Sequence, residues 1–182
     1  MKLWLLVPLL LAPTLLWAEP PDRNCTSGKW GPVHCIRIQH FVHDTCQLIE
    51  AVTAQHGLDA GFFTRLIWQE SRFDPFARSH ASAMGIAQFI ASTAKLRGLA
   101  NPYNPADALD HSAQYLAEMA TRSGNVGLAA VGYNGGETRA LGLIDGTGGL
   151  AQETIDYVKI ITGLPAETWR DDPPKSLDLR LS

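Results

Sequence analysis

The sequence predicts a small, mostly α-helical domain. Apolar residues recur every three or four positions through much of the chain, which is the spacing of one face of a helix. Residues that favour helix ends stand at the boundaries of several of these segments. No alternating run of polar and apolar residues is long enough to predict a sheet. These three observations together favour the mostly helical class.

The first helix follows from an apolar face that repeats at helical spacing. Phe41, Thr45, Leu48 and Val52 form that face, and Gly57 is placed to end the helix. Glycine suits this position because a helix commonly ends on a residue in the left-handed conformation, which glycine adopts at little cost.

The second helix begins after Asp59, whose side chain can cap the first free backbone N–H groups. Phe62, Leu66, Glu70 and Phe73 then share one face of the predicted helix. This spacing places the carboxyl of Glu70 on the apolar side of the helix.

The later helices are predicted in the same way. Asn104 followed by Pro105 is a strong start signal, because asparagine caps and proline suits the first helical position. A stripe of apolar residues follows at Leu109, Ala113, Leu116 and Ala120, and Gly124 stops the helix. Residues 126–131 predict a short helix running into Tyr133, residues 146–149 a flexible turn, and residues 150–161 a last helix ended by Gly163.

The two ends of the chain differ from its body. Residues 1–18 combine Lys2, an apolar run and a small final residue, which is the pattern of a secretory signal peptide. An uncleaved membrane anchor is the alternative, but the run is shorter than the roughly 20 apolar residues of a spanning helix, and Pro13 interrupts it. We therefore predict a periplasmic or secreted protein that does not span the membrane after cleavage. The predicted divisions are a signal peptide (1–18), an N-terminal segment with cysteines (19–36), the domain (37–170) and a flexible tail (171–182).

Charge and cysteine content exclude several function classes. Removing Lys2 would leave 14 basic against 18 acidic side chains, a net charge of −4, which argues against nucleic acid as a partner. Cys25, Cys35 and Cys46 predict one disulfide and one spare thiol in an oxidising compartment, and their spacing does not choose the pairing. The chain has neither a Cys-x-x-Cys pair nor a His-Glu-x-x-His motif, so no metal or other cofactor is predicted.

Glu70 has the chemistry of a general acid. Burial disfavours the charged carboxylate and raises the pKa, so a carboxyl on an apolar helix face can stay protonated near neutral pH and donate a proton. The alternative is an ordinary helix glutamate that forms an ion pair with Arg65 or Arg72.

Two glycine-rich segments carry amide side chains that suit sugars. Gly85 and Gln88 belong to the first, and Tyr133 and Asn134 to the second. Neutral donors and acceptors fit hydroxyl and acetamido groups, and a tyrosine ring can stack on a sugar. The simpler alternatives are that Gly85 begins a helix that ends near Gly98, and that residues 134–135 are only a turn.

These motifs, in this order, resemble the soluble lytic transglycosylase (SLT) domain family, which is related to goose-type lysozyme. The Glu-Ser motif is at residues 70–71, and the Gly-Leu-Met-Gln motif appears as Gly-Ile-Ala-Gln at residues 85–88. The Ala-Tyr-Asn-Ala-Gly motif appears as Gly-Tyr-Asn-Gly-Gly at residues 132–136, and Glu-Thr-x-x-Tyr-Val is present at residues 153–158. The resemblance implies a lysozyme-like helical domain with a substrate cleft.

The resemblance also implies an activity and roles for individual residues. Glu70 would protonate the β-1,4 bond between N-acetylmuramic acid (MurNAc) and N-acetylglucosamine (GlcNAc) in peptidoglycan, then act as base to give a 1,6-anhydro product without water. Ser71 would orient the Glu70 carboxyl. The substrate-binding residues that it implies are Ser71, Gln88, Tyr133, Asn134 and Tyr157. Most glycosidases need two carboxyl groups, and assistance from the substrate explains why one is enough here.

Two departures from the family pattern predict altered affinity rather than lost activity. Ala87 replaces the motif methionine, which should remove an apolar contact from a sugar subsite. Gly132 and Gly135 replace alanines, which should leave the third motif less rigid.

Two other functions stay open. A muramidase of the same fold would hydrolyse the bond and would need a carboxylate to position water, for which Asp74, Glu137 and Glu153 are candidates. A non-catalytic peptidoglycan-binding subunit of an envelope assembly is the third hypothesis, with an envelope or secretion machine as partner.

Three further residues attract attention without being assigned to the site. Trp68 stands close to Glu70 in the sequence, but a buried helix position is the expected role. His80 and His111 could carry protons, but we expect both of them on the surface.

Overall fold

The computed structural model describes residues 22–177. The predicted signal peptide, the start of the predicted N-terminal segment and the last residues of the predicted tail therefore lie outside the described residues. Leu177, which belongs to the predicted tail, packs against the core. Among residues 22–177, no helix is both long and apolar enough to cross a membrane.

Two short antiparallel strands come first, β1 (Arg23–Cys25) and β2 (Cys35–Arg37). A disulfide joins Cys25 to Cys35, while the thiol of Cys46 is free and exposed. The prediction of one disulfide and one spare thiol is confirmed, and the structure supplies the pairing. The strands were not predicted because three residues each are too few to produce an alternating pattern.

The regular elements that follow β2 in the described residues are all helices, which confirms the predicted mostly helical fold class. A 3₁₀ turn (Ile38–His40) leads into the first helix. The helices are α1 (Phe41–His56), α2 (Ala60–Ser71), α3 (Ala91–Arg97), α4 (Pro105–Ser123), α5 (Val126–Gly135), α6 (Glu137–Ile144), α7 (Gln152–Thr162) and α8 (Ala166–Asp171).

Local capping chemistry sets the predicted boundaries. Gly57 ends α1 in the left-handed conformation, at a φ of 69°. The Oδ1 atom of Asp59 accepts a hydrogen bond from the backbone N–H of Phe62 at 2.7 Å and so caps α2. The side chain of Asn104 caps α4 by accepting from two backbone N–H groups of its first turn.

The structure corrects the predicted end of α2. The helix stops at Ser71, and both Arg72 and Phe73 adopt left-handed backbone conformations, with φ values of 56° and 64°. Phe73 therefore does not continue the face that carries Glu70. Its ring lies 5.8 Å from that of Trp68 and lines a groove between α1 and α2.

The third motif lies on a helix rather than on a loop. The short helix predicted over residues 126–131 continues to Gly135, so α5 includes Tyr133 and Asn134. Gly132 is buried in this helix, where a Cβ atom would lie 3.2 Å from the sulfur of Met119. Close packing therefore holds the glycine-rich helix in place.

Helix α4 forms the centre of the core, and α7 positions the site. Along α4, Ala106, Leu109, Ala113 and Leu116 are fully buried, and the helix packs against α1, α5 and α6. Helix α7 packs against both α2 and α5. It thereby brings the end of α2 next to the end of α5, although these two segments are far apart in the sequence.

Candidate active site

A cleft of about 670 Å³ opens between the end of α2, the loop before α3, the end of α5 and α7. Five of the six predicted site residues line it: Glu70, Gln88, Tyr133, Asn134 and Tyr157. The sixth, Ser71, lies behind the cleft surface. Its hydroxyl donates to the carbonyl oxygen of Ile86 at 2.6 Å, which ties the end of α2 to the loop rather than to the carboxyl of Glu70.

Glu70 is held in the last turn of α2 by a tyrosine from α7. The hydroxyl of Tyr157 donates to Oε1 of Glu70 at 2.5 Å. Burial raises the pKa of Glu70 to about 7; the hydrogen bond from Tyr157 lowers it, and the nearby charge of Glu153 raises it. A carboxyl with this pKa is largely protonated at slightly acid pH and can still ionise during a reaction.

The alternative of a salt-bridged Glu70 is not what the structure shows. The ion pairs among residues 22–177 do not include Glu70. One proposed partner, Arg72, places its guanidinium over the ring of Trp68, at 5.4 Å from the ring centre. Within the described part of the chain, Glu70 is therefore a partly buried acid that no cation neutralises.

The loop that carries Gln88 is held by its own main chain. Met84 and Phe89 exchange two backbone hydrogen bonds of 3.0 Å, and Gly85 has a φ of 73°. A Cβ atom at Gly85 would lie 1.9 Å from the carbonyl oxygen of Pro102, so no larger residue fits there without movement. Since α3 begins only at Ala91, the alternative that Gly85 starts a helix is wrong.

The NH₂ group of the Gln88 carboxamide is used in hydrogen bonds within this loop. Its Nε2 atom donates to the carbonyl oxygen of Gly85 at 2.9 Å and to that of Ala77 at 3.4 Å. The residue itself has a φ of 51°, an uncommon conformation for a non-glycine residue. The two contacts fix the direction of the Gln88 side chain along the cleft wall.

Tyr133 connects the second and third motifs. Its hydroxyl donates to the carbonyl oxygen of Ala87 at 2.8 Å and lies 2.9 Å from the hydroxyl of Ser112 on α4. Ala87 is fully buried and does not line the cleft. The expectation that residue 87 lines a sugar subsite is therefore wrong, because its side chain points into the core.

Asn134 is held from α7, as Glu70 is. The hydroxyl of Thr154 donates to Oδ1 of Asn134 at 2.7 Å. Thr154 belongs to the Glu-Thr-x-x-Tyr-Val motif but was not among the predicted site residues, although its position three residues before Tyr157 puts the two on one side of α7. The same spacing places Glu153, Asp156 and Ile160 on the cleft wall, so the helical period of α7 could have identified them.

The carboxylates proposed for a hydrolytic mechanism divide into two groups. Glu153 lines the cleft with Glu70. Asp74 lies outside the lining and caps a turn by accepting from the backbone N–H of Phe76. Glu137 is also outside it, since its carboxylate binds Tyr115 at 3.0 Å and Arg122 at 2.8 Å.

Two of the three unassigned residues differ from expectation. Trp68 is 48% exposed, so the predicted buried position is wrong, since the ring sits on the outer side of α2. His111 is 1% exposed, so the predicted surface position is wrong too: the disulfide-bonded segment covers it, and the Trp30 ring lies 4.5 Å away. His80 is exposed, as expected.

The fold and the cleft define a helical domain in which one partly buried acid, Glu70, faces a groove of amide and tyrosine side chains. The chain belongs to the Transglycosylase SLT domain family, whose model matches residues 47–155. This match confirms the family inferred from the motifs.

Two relatives and one solved structure agree with this assignment. The chain is 34% identical to the transglycosylase of Enterobacteria phage PRD1 over 94 residues, covering 52% of this chain and 36% of the phage protein. It is 35% identical to the membrane-bound lytic murein transglycosylase F of Desulfosudis oleivorans over 75 residues, covering 41% of this chain and 16% of that protein. An inactive glutamate-to-glutamine mutant of the lytic transglycosylase Slt from Pseudomonas aeruginosa is similar in structure, with a TM-score of 0.57 and 26% identity, covering 64% of this chain and 22% of that one.

The chain therefore spans about a third or less of each of these relatives. The likeness to the Pseudomonas structure confirms the expected fold class. What the whole relatives bind or cleave does not pass to this chain without an argument from its own site.

Proposed function

We propose that the protein is an exported peptidoglycan lytic transglycosylase that cleaves the MurNAc–GlcNAc β-1,4 bond to 1,6-anhydromuramyl products. The observation that carries this proposal is the carboxyl of Glu70, which lines the cleft, is partly buried and accepts a hydrogen bond from Tyr157, and whose pKa is raised to about 7 by desolvation. Family membership and the names of the lytic relatives support the same reaction.

Glu70 acts first as acid and then as base. Its proton moves to the glycosidic oxygen while the bond from this oxygen to C1 of MurNAc breaks, and the acetamido group of the same sugar stabilises the positive charge at C1. The Glu70 carboxylate then takes the proton of the 6-hydroxyl, whose oxygen bonds to C1. Glu70 ends protonated as it began, and no water is consumed.

The remaining cleft residues bind and orient the glycan. Gln88 and Asn134 offer amide groups to hydroxyl and acetamido groups, and the ring of Tyr133 forms part of the wall. Tyr157 holds the Glu70 carboxyl and lines the cleft beside it. Ser71 contributes indirectly, because its hydrogen bond to the carbonyl oxygen of Ile86 holds the loop that carries Gln88 against α2.

Hydrolysis of the same bond by a muramidase of this fold is the second candidate function. The position of Glu153 favours it over the non-catalytic binding subunit. Glu153 is the only one of the three proposed water-positioning carboxylates that lines the cleft. The third hypothesis, a non-catalytic binding subunit of an envelope assembly, predicts binding to the cell wall without cleavage.

Mass spectrometry of digested cell-wall sacculi tests the proposal. We expect anhydro ends from the wild-type protein, almost none from Glu70→Gln, and anhydro ends from Glu153→Gln. Reducing ends that depend on Glu153 would instead support the hydrolase. Binding to sacculi without any released fragment would support the non-catalytic subunit.

Export follows from the substrate, since peptidoglycan lies outside the cytoplasmic membrane. We therefore propose a periplasmic or secreted location, with an envelope or secretion machine as a candidate partner. Fractionation of cells that express the full chain tests this, and retention of the protein in the cytoplasm would contradict it.

A further inference from the structure

Two hydrogen bonds from α7 fix the positions of two site residues on different helices. Tyr157 donates to Glu70 on α2 at 2.5 Å, and Thr154 donates to Asn134 on α5 at 2.7 Å. The donors stand three residues apart, so both face the interior from the same side of α7. They are 4% and 2% exposed, so water competes little for either contact.

The contact from Thr154 decides which end of the Asn134 carboxamide meets the substrate. An amide has one oxygen acceptor and one NH₂ donor. Because the oxygen of Asn134 is directed at the hydroxyl of Thr154, the NH₂ group is the part left for the cleft that Asn134 lines. That group can bind only an acceptor, such as the carbonyl oxygen of an acetamido group.

The glycine beside Asn134 gives Thr154 the room to make this contact. A Cβ atom at Gly135 would lie 3.1 Å from both Cγ2 and Oγ1 of Thr154, which is tighter than ordinary van der Waals contact. The glycine that departs from the family motif therefore allows α5 and α7 to approach closely at this point.

We propose that Thr154 is a positioning residue that orients the carboxamide of Asn134 so that it donates a hydrogen bond to a carbonyl oxygen of the glycan. This inference rests on the proposed function for the identity of the ligand. The contact itself depends only on α5 and α7.

The kinetic signature of Thr154 differs from that of Tyr157. In the proposed function Asn134 would contact the glycan in the bound state and the transition state alike, so its misorientation should raise KM more than it lowers kcat. Tyr157 contacts the acid itself, so its loss acts on kcat and on the pH profile. A merely structural role for Thr154 would lower stability without separating these two quantities.

Thr154→Val and Thr154→Ser form a matched pair. Valine keeps the shape but has no hydroxyl, whereas serine keeps the hydroxyl. We expect Thr154→Val to raise KM on sacculus fragments about tenfold with kcat changed less, and Thr154→Ser to stay within about twofold of wild type. Equal KM values for the valine and serine variants would overturn the proposal.

Binding to intact sacculi, measured by pelleting, gives a readout that does not need turnover. If the wild type binds but releases no anhydro ends, the proposed lyase activity fails, while weaker pelleting of Thr154→Val than of Thr154→Ser still supports the role of Thr154. Should Thr154→Val fail to fold, Asn134→Asp replaces it as the test, because a carboxylate cannot donate. A roughly tenfold loss of binding is expected for that variant, and unchanged binding would overturn the proposal.

Discussion

Glu70 in the cleft and Asp107 at the start of α4 are both largely withdrawn from water, but their surroundings shift the pKa of the two carboxyl groups in opposite directions. In the cleft, burial and the charge of Glu153 raise the pKa of Glu70, against a single hydrogen bond from Tyr157. At the start of α4, burial alone would raise the pKa of Asp107, but contacts from His111 and from the backbone N–H of Ser27 outweigh it and lower the pKa.

Geometry explains the difference. Asp107 is 8% exposed, accepts from the N–H of Ser27 at 2.8 Å, and lies 3.5 Å from Nδ1 of His111. These donors replace water around the carboxylate and let it stay charged. Glu70 lacks such a set, so its neutral form is favoured. The same kind of side chain thus holds the disulfide-bonded segment on α4 in one place and can supply a proton in the other.

The largest expected effect comes from replacing Glu70 and Asp107 by their amides, because only the first replacement should abolish catalysis. Glu70→Gln removes the transferable proton while keeping the shape, so we expect sacculus digestion to fall about a thousandfold. Asp107→Asn is the matched control, because it makes the same chemical change at a residue that does not line the cleft. Digestion by Asp107→Asn should stay within about twofold of wild type below its unfolding temperature; equal losses in both variants would contradict the comparison.

The stability of the wild type should fall with rising pH because of Glu70. The folded-state pKa of about 7 lies above the unfolded value of 4.5, so the folded state holds the proton more tightly and loses this advantage as the pH rises. Between pH 5 and pH 8 the loss should be roughly 2–3 kcal/mol.

Glu70→Gln supplies the control for this loss, because glutamine does not titrate. In urea unfolding, the variant should gain free energy of unfolding relative to wild type at pH 8, with a much smaller gain at pH 5. If the free energies of unfolding of Glu70→Gln and wild type differed by the same amount at pH 5 and pH 8, the pKa of Glu70 would not be raised in the folded protein.

Tyr157→Phe should have a smaller effect on rate and a diagnostic effect on pH dependence. The hydrogen bond from Tyr157 lowers the pKa of Glu70, so its removal should raise that pKa further. Activity, which falls as Glu70 ionises, should then persist to higher pH, while the maximal rate drops about tenfold because the acid is less well oriented. A basic limb that shifts to lower pH would contradict this role.

Asp107→Asn should produce the smallest effect, confined to stability. Because the folded-state pKa of Asp107 is lowered, its contribution is present at neutral pH and is lost as the pH falls through that value. We expect the variant to lose about 1–2 kcal/mol at pH 7 and to approach wild type in acid. Thermal unfolding at pH 7 and at pH 3 measures this. If the stability difference between the variant and wild type were the same at both pH values, the charge of Asp107 would not be its cause.

Local signals explain which parts of the fold were predictable. Gly57, Asp59 and Asn104 act within one turn of the helix that each one ends or starts, so the end of α1 and the starts of α2 and α4 follow from the sequence. Helices α6 and α8 were not predicted, because both are short and neither has a side-chain cap. The extension of α5 through Gly132 and Gly135 depends on packing against other helices, which overrides the low helix propensity of glycine.

The site was predictable as a set of residues but not as a set of contacts. Helical spacing alone placed Glu70 on a buried face, and the motif order identified Gln88, Tyr133 and Asn134. The hydrogen bond from Thr154 to Asn134 spans 20 residues and that from Tyr157 to Glu70 spans 87. Such contacts exist only once α7 has packed between α2 and α5, so no local pattern could reveal them.

Titration of the Glu70 carboxyl by carbon-13 NMR is the most direct test of whether Glu70 is protonated near neutral pH and can serve as the general acid. Selective labelling of glutamate side chains, with Glu70→Gln to assign the signal, would follow this group from acid to alkaline pH. The Glu70 signal should titrate with a pKa of about 7. A midpoint near the ordinary value of 4.5 would mean that the carboxyl is ionised at neutral pH and cannot serve as the acid.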